Sequence, residues 1–529
     1  MNRVILCIID DVRSSHFFDL IKKGLLPNFK KLMENGIFSK RCVTDFPSVT
    51  YPTQCSIITG TYTGDYRHEM CHGVPAYHWM GRYLAPPFLR NYGAPGSDEF
   101  IQIYKMNADL GSNCQTLLEM TGEGNHASIT QFISRGTDYI YPESKVKLGL
   151  YYEFLQFAMR NRKRAKGLMA LANSIVVRKL IDSFKRPKKF FKSNEPPIGS
   201  NLWFMTSDVI MHLFGYDSYL YKLNLMHIDK VIGILVKELD EIGYLIDTAI
   251  AITADHGNYK AKSIGNILPF YGRTGLTNYH PKKNIKGNVN ISEFGGVGMF
   301  NFKGSNDIGN DAYWGRPRIK ELEKYGPKRL NMFEELFKIE GTSLMYFRED
   351  YDTYKKGTIH LKRKDEETGK IFSGKIEYKG IGKEFKTRYT SEDSENDVFG
   401  FMEDDKANKL VNGNFYSIDE WLDATHHLDH ALYPDLIPRH FKNPRSSDII
   451  ISTKGSIVYN VTHGNPQKGH VFSHDIGLQE STILPLIIAG SPEIPQKEIS
   501  YCKSTDITPT LIKMLGKKPH DSVVGKDLI

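Results

Sequence analysis

Phe46–Gly60 reads FPSVTYPTQCSIITG. Upstream, IFSKRCVTDF has the composition of a strand, and it runs into Pro47 and Ser48. Downstream of Tyr51-Pro52 the apolar run suits a helix, and a proline in a first helical turn forfeits no hydrogen bond. The spacing therefore predicts Thr50 near a helix N-terminus, where free N–H groups and the helix dipole favour an anion. A hydroxyl there becomes a nucleophile only if something activates it. It is also a common helix cap, and both roles stay open on this stretch alone.

Working outward, VILCII (Val4 to Ile9) is continuously apolar, the pattern of a strand buried on both faces of a parallel sheet, and it ends at Asp10-Asp11. Ligands of open α/β sheets bind beyond the carboxyl ends of strands, which puts Asp10 where chemistry is expected; a solvated turn carboxylate is the alternative. TYTGDYRHEMCHGVPAYHWMGRY, after Gly60, has no clear periodicity and reads as a loop over the site. Farther on, SNCQTLLEMTG reads as a helix and HASITQF as a strand. In NLWFMTSDVIMHLFGYDS an apolar run reaches Asp208, with His212 four residues later, one helical turn away and on the same face. MHIDKVIGILVKELDEIGYL is an amphipathic helix, and TAIAITADHGN a buried strand ending in Asp255-His256-Gly257. This alternation of strand and helix predicts an α/β fold with a mostly parallel central sheet flanked by helices.

Residues 261–444 read as a mixed α+β insertion or cap. GTIHLKRKDEETGKIFSGKIEYKG predicts an antiparallel hairpin turning at EETGK. His426, His427 and His430 lack a helical frame and are expected at the surface. The core pattern is expected to resume near residue 445 with SSDIIIST, SIVYNVT and STILPLIIAG. Between the last two lie His463, His470 and His474. TDITPTLIKMLG predicts a capped helix stopped by Gly516.

The net charge of +8 is concentrated. Between Met159 and Lys192 there are twelve Lys or Arg residues and one acid, Asp182, so the rest of the chain is slightly acidic. This segment, within a helical insertion at 145–195, has apolar residues at helical spacing. It reads either as a cap with a basic solvent face or as a peripheral contact with an anionic membrane. No signal peptide is visible, and no stretch approaches the roughly 18 uninterrupted apolar residues of a membrane span. The six cysteines form no CxxC pair and lie mostly in apolar contexts, which predicts free buried thiols. A cytoplasmic location is the expectation.

Asp10, Thr50, Asp208, His212, Asp255, His256 and one late histidine all interrupt the ends of apolar segments. Mixed carboxylate and imidazole donors suit Zn²⁺, with Mn²⁺ or Fe also accepted. Two such sites roughly 4 Å apart would stabilise both the attacking and the leaving oxygen in phosphoryl transfer.

The chain resembles the alkaline phosphatase superfamily, most closely its type I phosphodiesterase/nucleotide pyrophosphatase branch. The resemblance rests on IIDDVR (Asp10), FPSVTYP (Thr50), SDVIMHLFG (Asp208, His212), TADHG (Asp255, His256) and the terminal TDITPTLIKMLG, all in family order over roughly residues 1–260 and 445–529. It implies that Asp10, Thr50, Asp255 and His256 hold one divalent metal ion. Asp208, His212 and a late histidine would hold the other. The family's spacing to Pro485 selects His474, with His470 and His463 as alternatives. It also implies a covalent intermediate on Thr50 and a small phosphate ester as substrate, of nucleotide or phospholipid head-group class. Three departures stand out. Asp11 replaces a glycine after Asp10. Asp475 replaces a glycine after His474. HGVPAYHW lacks the family's phosphate-binding asparagine, leaving Tyr77 or His78 near that place.

A phosphomonoesterase or phosphotransferase of the same superfamily is the alternative, and a catalytically inactive binding scaffold is the second. A sulfatase is disfavoured, because Thr50-Tyr51-Pro52-Thr53-Gln54 lacks both its nucleophile and its arginine. No specific nucleic-acid binding is predicted.

Overall fold

The computed structural model describes residues 1–93, 102–304, 314–394, 396–459, 461–462, 465–466 and 471–529. Strand Arg3–Ile9 is the centre of the main sheet, and Val4 to Ile9 are all buried, as their unbroken apolar run predicts. Full burial of such side chains stabilises by about 1.5–3 kcal/mol each. The strand pairs in parallel with Gly199–Phe204 on one side and Thr248–Ala254 on the other. The sheet continues through His126–Ile129 to Tyr139–Tyr141 at one edge. At the other it continues through Ile483–Gly490 and Ile37–Val43 to Lys497–Ile499, with Cys502–Lys503 also pairing with Ile37–Val43. Among the described residues only Ile483–Gly490 runs against its neighbours, so the sheet is mostly parallel, as expected.

Helix Tyr219–Glu241 packs against Pro27–Glu34 and against Arg162–Lys185. A second group of helices joins Thr50–Thr59 to Ile507–Met514. The basic segment is thus largely one long helix whose Ala165, Met169, Ala172, Val176 and Leu180 are buried. Among the described residues no helix is long and apolar enough to cross a membrane. All six cysteines are free and buried.

A second, wholly antiparallel sheet runs Val289–Phe294, Val297–Phe302, Ile449–Ser452, Leu344–Arg348, Lys356–Lys364, Ile371–Lys379, Lys386–Ser391. It includes the predicted hairpin, with Gly369 at φ 70° in the turn. Two expectations change here. Ile449–Ser452 inserts between strands of this second sheet, and Ile457–Tyr459 pairs with Ser263–Gly265, so neither joins the main sheet expected to resume at 445. A short apolar run carries no information about its partner. His430 is buried, packed on Phe399 and Tyr433, because the following helix Tyr433–Lys442 is buried along its whole length.

The loop read between Gly60 and Tyr83 holds one strand of a small hairpin, His78–Gly81 with Phe88–Asn91. The predicted SNCQTLLEMTG helix is a single turn, Leu117–Met120, closed by a Thr116–Glu119 capping box.

Candidate metal centre

Sheet register sets the site. Ile9 lies opposite both Ala254 and Phe204, so the residues that follow these strands emerge at one level. Asp10 and Asp255 are therefore neighbours. Asp208 enters from the first turn of helix Thr206–Phe214, which starts just after Phe204 and carries His212 one turn on.

Thr50 is the first residue of its helix, and it does not cap it. The N-cap is Val49, and Thr50 Oγ1 lies 2.6 Å from the Tyr77 hydroxyl and 3.1 Å from His256 Nε2. The hydroxyl thus sits at the positive end of a ten-residue helix, facing a cluster of acids and imidazoles.

Among the described residues, three groups of buried or half-buried side chains bring ligand atoms within 4.8 Å of one another: Asp10, Asp255 and His256; Asp208, His256 and His474; Asp11, Asp208 and His212. They share members. Asp208 Oδ1 is 3.1 Å from His212 Nε2 and 3.8 Å from His474 Nε2, and His256 Nε2 is 3.5 Å from Asp10 Oδ1. The His256 and His474 rings stack at 3.8 Å.

Each imidazole is held the same way. Nδ1 of His256 donates to Gly257 O (3.1 Å), that of His212 to Phe472 O (2.9 Å) and that of His474 to Ser48 O (3.1 Å). These bonds fix the tautomer that leaves Nε2 with its lone pair toward the cluster, the arrangement of metal-ligating histidines. The carboxylates are oriented too. Asp255 accepts from Gln54 Nε2 (2.7 Å) and from the N–H of Asp11 and His256, and Asp10 Oδ2 accepts from the Trp203 indole (3.0 Å).

These residues fit divalent cations. Among the described residues, Asp10 Oδ1 and Asp11 Oδ2 are buried without a hydrogen-bond partner. Burial, followed by repulsion from Asp255, Asp208 and Asp11, pushes the Asp10 carboxyl well above the usual range; burial and Asp208 do the same to Asp11. Burial also acts to raise Asp208, but the His212 imidazole outweighs it and holds this carboxyl low. His474 is held well below the usual imidazole value by burial and by His256 and His212. Buried acids with orphaned oxygens, interleaved with imidazole nitrogens, are stable together only around positive charge.

The structure brings Asp10, Thr50, Asp208, His212, Asp255, His256 and His474 together, and Tyr77 with them. His78 turns away to Ser292 Oγ. His463 and His470 lie outside the described residues. Asp11 was missed as a candidate ligand. Its signal was its departure from glycine, and both departures fall at left-handed backbone, Asp11 at φ 57° and Asp475 at φ 88°. Aspartate tolerates that region better than most residues. Asp475 does not join the cluster; its carboxylate accepts from Gly296 N–H (2.9 Å) and Ser473 Oγ (2.9 Å), tying the turn of the second sheet to the site.

Fold and site together define an α/β protein with a hydroxyl at a helix N-terminus beside paired acid and imidazole clusters. The type I phosphodiesterase/nucleotide pyrophosphatase family model matches residues 4–306, and the chain belongs to that family. Among solved structures, human ectonucleotide pyrophosphatase/phosphodiesterase 5 is similar at 14% identity and a TM-score of 0.54, covering 98% of this chain and 96% of its own. The murine protein has the same identity and coverage at a TM-score of 0.51. So does its inactive threonine-to-alanine form in complex with AMP. At this identity the likeness concerns the fold.

Proposed function

We propose that this chain is a hydrolase of phosphate diesters or pyrophosphates in which Thr50 is the nucleophile and a covalent phosphothreonine the intermediate. The observation that supports this most is the convergence of Asp10, Asp11, Asp208, Asp255 and the Nε2 atoms of His212, His256 and His474 beside one hydroxyl at a helix N-terminus. Asp10, Asp255 and His256, with Thr50, would hold one divalent cation; Asp208, His212 and His474, with Asp11, the other. The donor set suits Zn²⁺, and Mn²⁺ or Fe as well. When bound, such cations lower the pKa of a coordinated hydroxyl and neutralise charge on phosphoryl oxygens.

The protein's own groups supply positioning. The Tyr77 hydroxyl holds Thr50 Oγ1 in one orientation, and the first-turn amides of the helix face an incoming phosphate. Thr50 Oγ1 displaces the leaving alkoxide or phosphate from phosphorus, and water then releases the phosphoryl group and restores the hydroxyl. The substrate is a small phosphate ester; family membership and the AMP held by the murine relative support a nucleotide. In this reading residues 1–260 and 445–529 carry the chemistry. Residues 261–444 form a cap into whose sheet 449–452 is stitched, and the protein is cytoplasmic.

Thr50→Ala tests the reading. Turnover of a nitrophenyl phosphodiester should fall at least about a thousandfold, the scale of losing a covalent nucleophile, with bound metal retained. A variant that keeps the parental rate contradicts it. A parent that hydrolyses the nitrophenyl monoester faster than the diester favours the monoesterase alternative.

A further inference from the structure

Helix Lys145–Met159 has two unlike faces. Leu148, Tyr152, Leu155 and Met159 are buried. The Tyr152 ring lies 5.9 Å from Trp203, whose indole donates to Asp10, and 6.4 Å from Phe132. The inner face of this helix is therefore part of the wall behind the candidate metal centre. The opposite face carries Val146, Leu150, Phe154 and Phe157, which are 57%, 66%, 56% and 72% exposed. Steps of four, four and three residues align them along one side of the helix. Exposed apolar side chains are ordinary when scattered singly; four in line on one helix form a contiguous surface that needs a partner.

The charges nearby say which partner. At the turn into Arg162–Lys185, which Asn161 caps, Arg160, Arg162, Lys163, Arg164 and Lys166 are exposed, and Lys147 is exposed at the other end of the apolar row. Glu153 is the only acid between Ser144 and Ile181. A second copy of the chain would bring a like cluster of cations against this one. An anionic bilayer offers what both features require, acyl chains for the phenylalanines and leucine and phosphate for the cations.

The geometry points to the outer face of Lys145–Met159, with the basic turn that follows it, as a docking surface for an anionic lipid bilayer. The contact centres on 145–166; most of the basic segment beyond it packs on Tyr219–Glu241. A helix is about 10 Å across, so the docked membrane lies roughly that far from the Trp203–Asp10 wall. If the hydrolytic reading holds, phosphodiesters carried by lipids then join the substrate class. Docking itself does not depend on that reading, because vesicle binding needs no turnover.

The test is co-sedimentation of the full chain with phosphatidylcholine vesicles, with and without phosphatidylserine. The parent should bind phosphatidylserine-containing vesicles at least about tenfold more tightly than phosphatidylcholine alone, less so at high salt. The combined Leu150→Ser, Phe154→Ser and Phe157→Ser variant keeps every cation, yet should lose about a hundredfold or more in binding, the scale of three lost apolar insertions. Arg160→Glu with Lys163→Glu and Arg164→Glu should abolish the preference for phosphatidylserine. Because the apolar side chains are exposed, the triple serine variant should melt with the parent and keep its nitrophenyl diester rate, which separates loss of docking from loss of fold. The proposal is overturned if the parent ignores anionic vesicles or the serine variant binds like the parent. It is also overturned if the parent is a dimer in solution that the serine substitutions dissociate.

Discussion

The Tyr77 hydroxyl lies 2.6 Å from Thr50 Oγ1, and its ring meets Tyr51 edge-on at 4.9 Å between centroids. The aromatic contact holds the ring while the hydroxyl orients the candidate nucleophile. Burial, with Asp208 and Tyr51 adding, pushes the phenol well above its ordinary value, so it stays protonated across the working pH range.

Tyr77→Phe keeps the ring and removes the orienting hydroxyl. We expect kcat on a nitrophenyl diester to fall about ten- to a hundredfold, the cost of losing one positioning contact, with metal content and melting temperature unchanged. Steady-state kinetics beside a thermal melt check this. An unaltered kcat would show that Thr50 is oriented by other groups.

Asp11→Gly should move two quantities in opposite directions. It relieves a buried, repelled carboxylate and a left-handed backbone at a non-glycine residue, so the metal-free protein should melt higher. It also removes a carboxylate from the group with Asp208 and His212, so zinc affinity measured by calorimetric titration should weaken about tenfold or more. If affinity is unchanged, Asp11 is not a ligand.

His430 and His440 are buried, and burial drives both down to about 3. His440 packs edge-on against Phe46, four residues before Thr50, and among the described residues neither of its ring nitrogens has a partner. A depressed imidazole keeps its full stabilising effect above the unfolded value near 6.5. That effect is lost progressively as pH falls toward 3, because only the unfolded chain takes up the proton. At pH 5 each should cost about 2 kcal/mol. Apparent melting temperatures across pH 7 to 5 should fall, and His440→Leu should flatten that fall.

Much of the site was legible because its acids end apolar runs: Asp10 after Val4 to Ile9 and Asp255 after Thr248–Ala254 need only parallel register to become neighbours. Asp208 and His212 needed only one helical turn. Asp11 and Asp475 read as departures because a sequence does not display φ. His430 read as a surface residue because burial there depends on a helix packed from all sides. Ile449–Ser452 read as core because apolar content is the same for either sheet. The hairpin at His78–Asn91 was hidden by an aromatic stretch with no alternation.

Metal content of the purified full chain tests the central claim most directly. Loaded with zinc and freed of excess, the parent should hold two equivalents per chain by mass spectrometry, and Asp208→Asn with His212→Asn should hold one. A parent that retains no metal after loading, or a double variant that still retains both ions, would contradict the arrangement of ligands around Thr50.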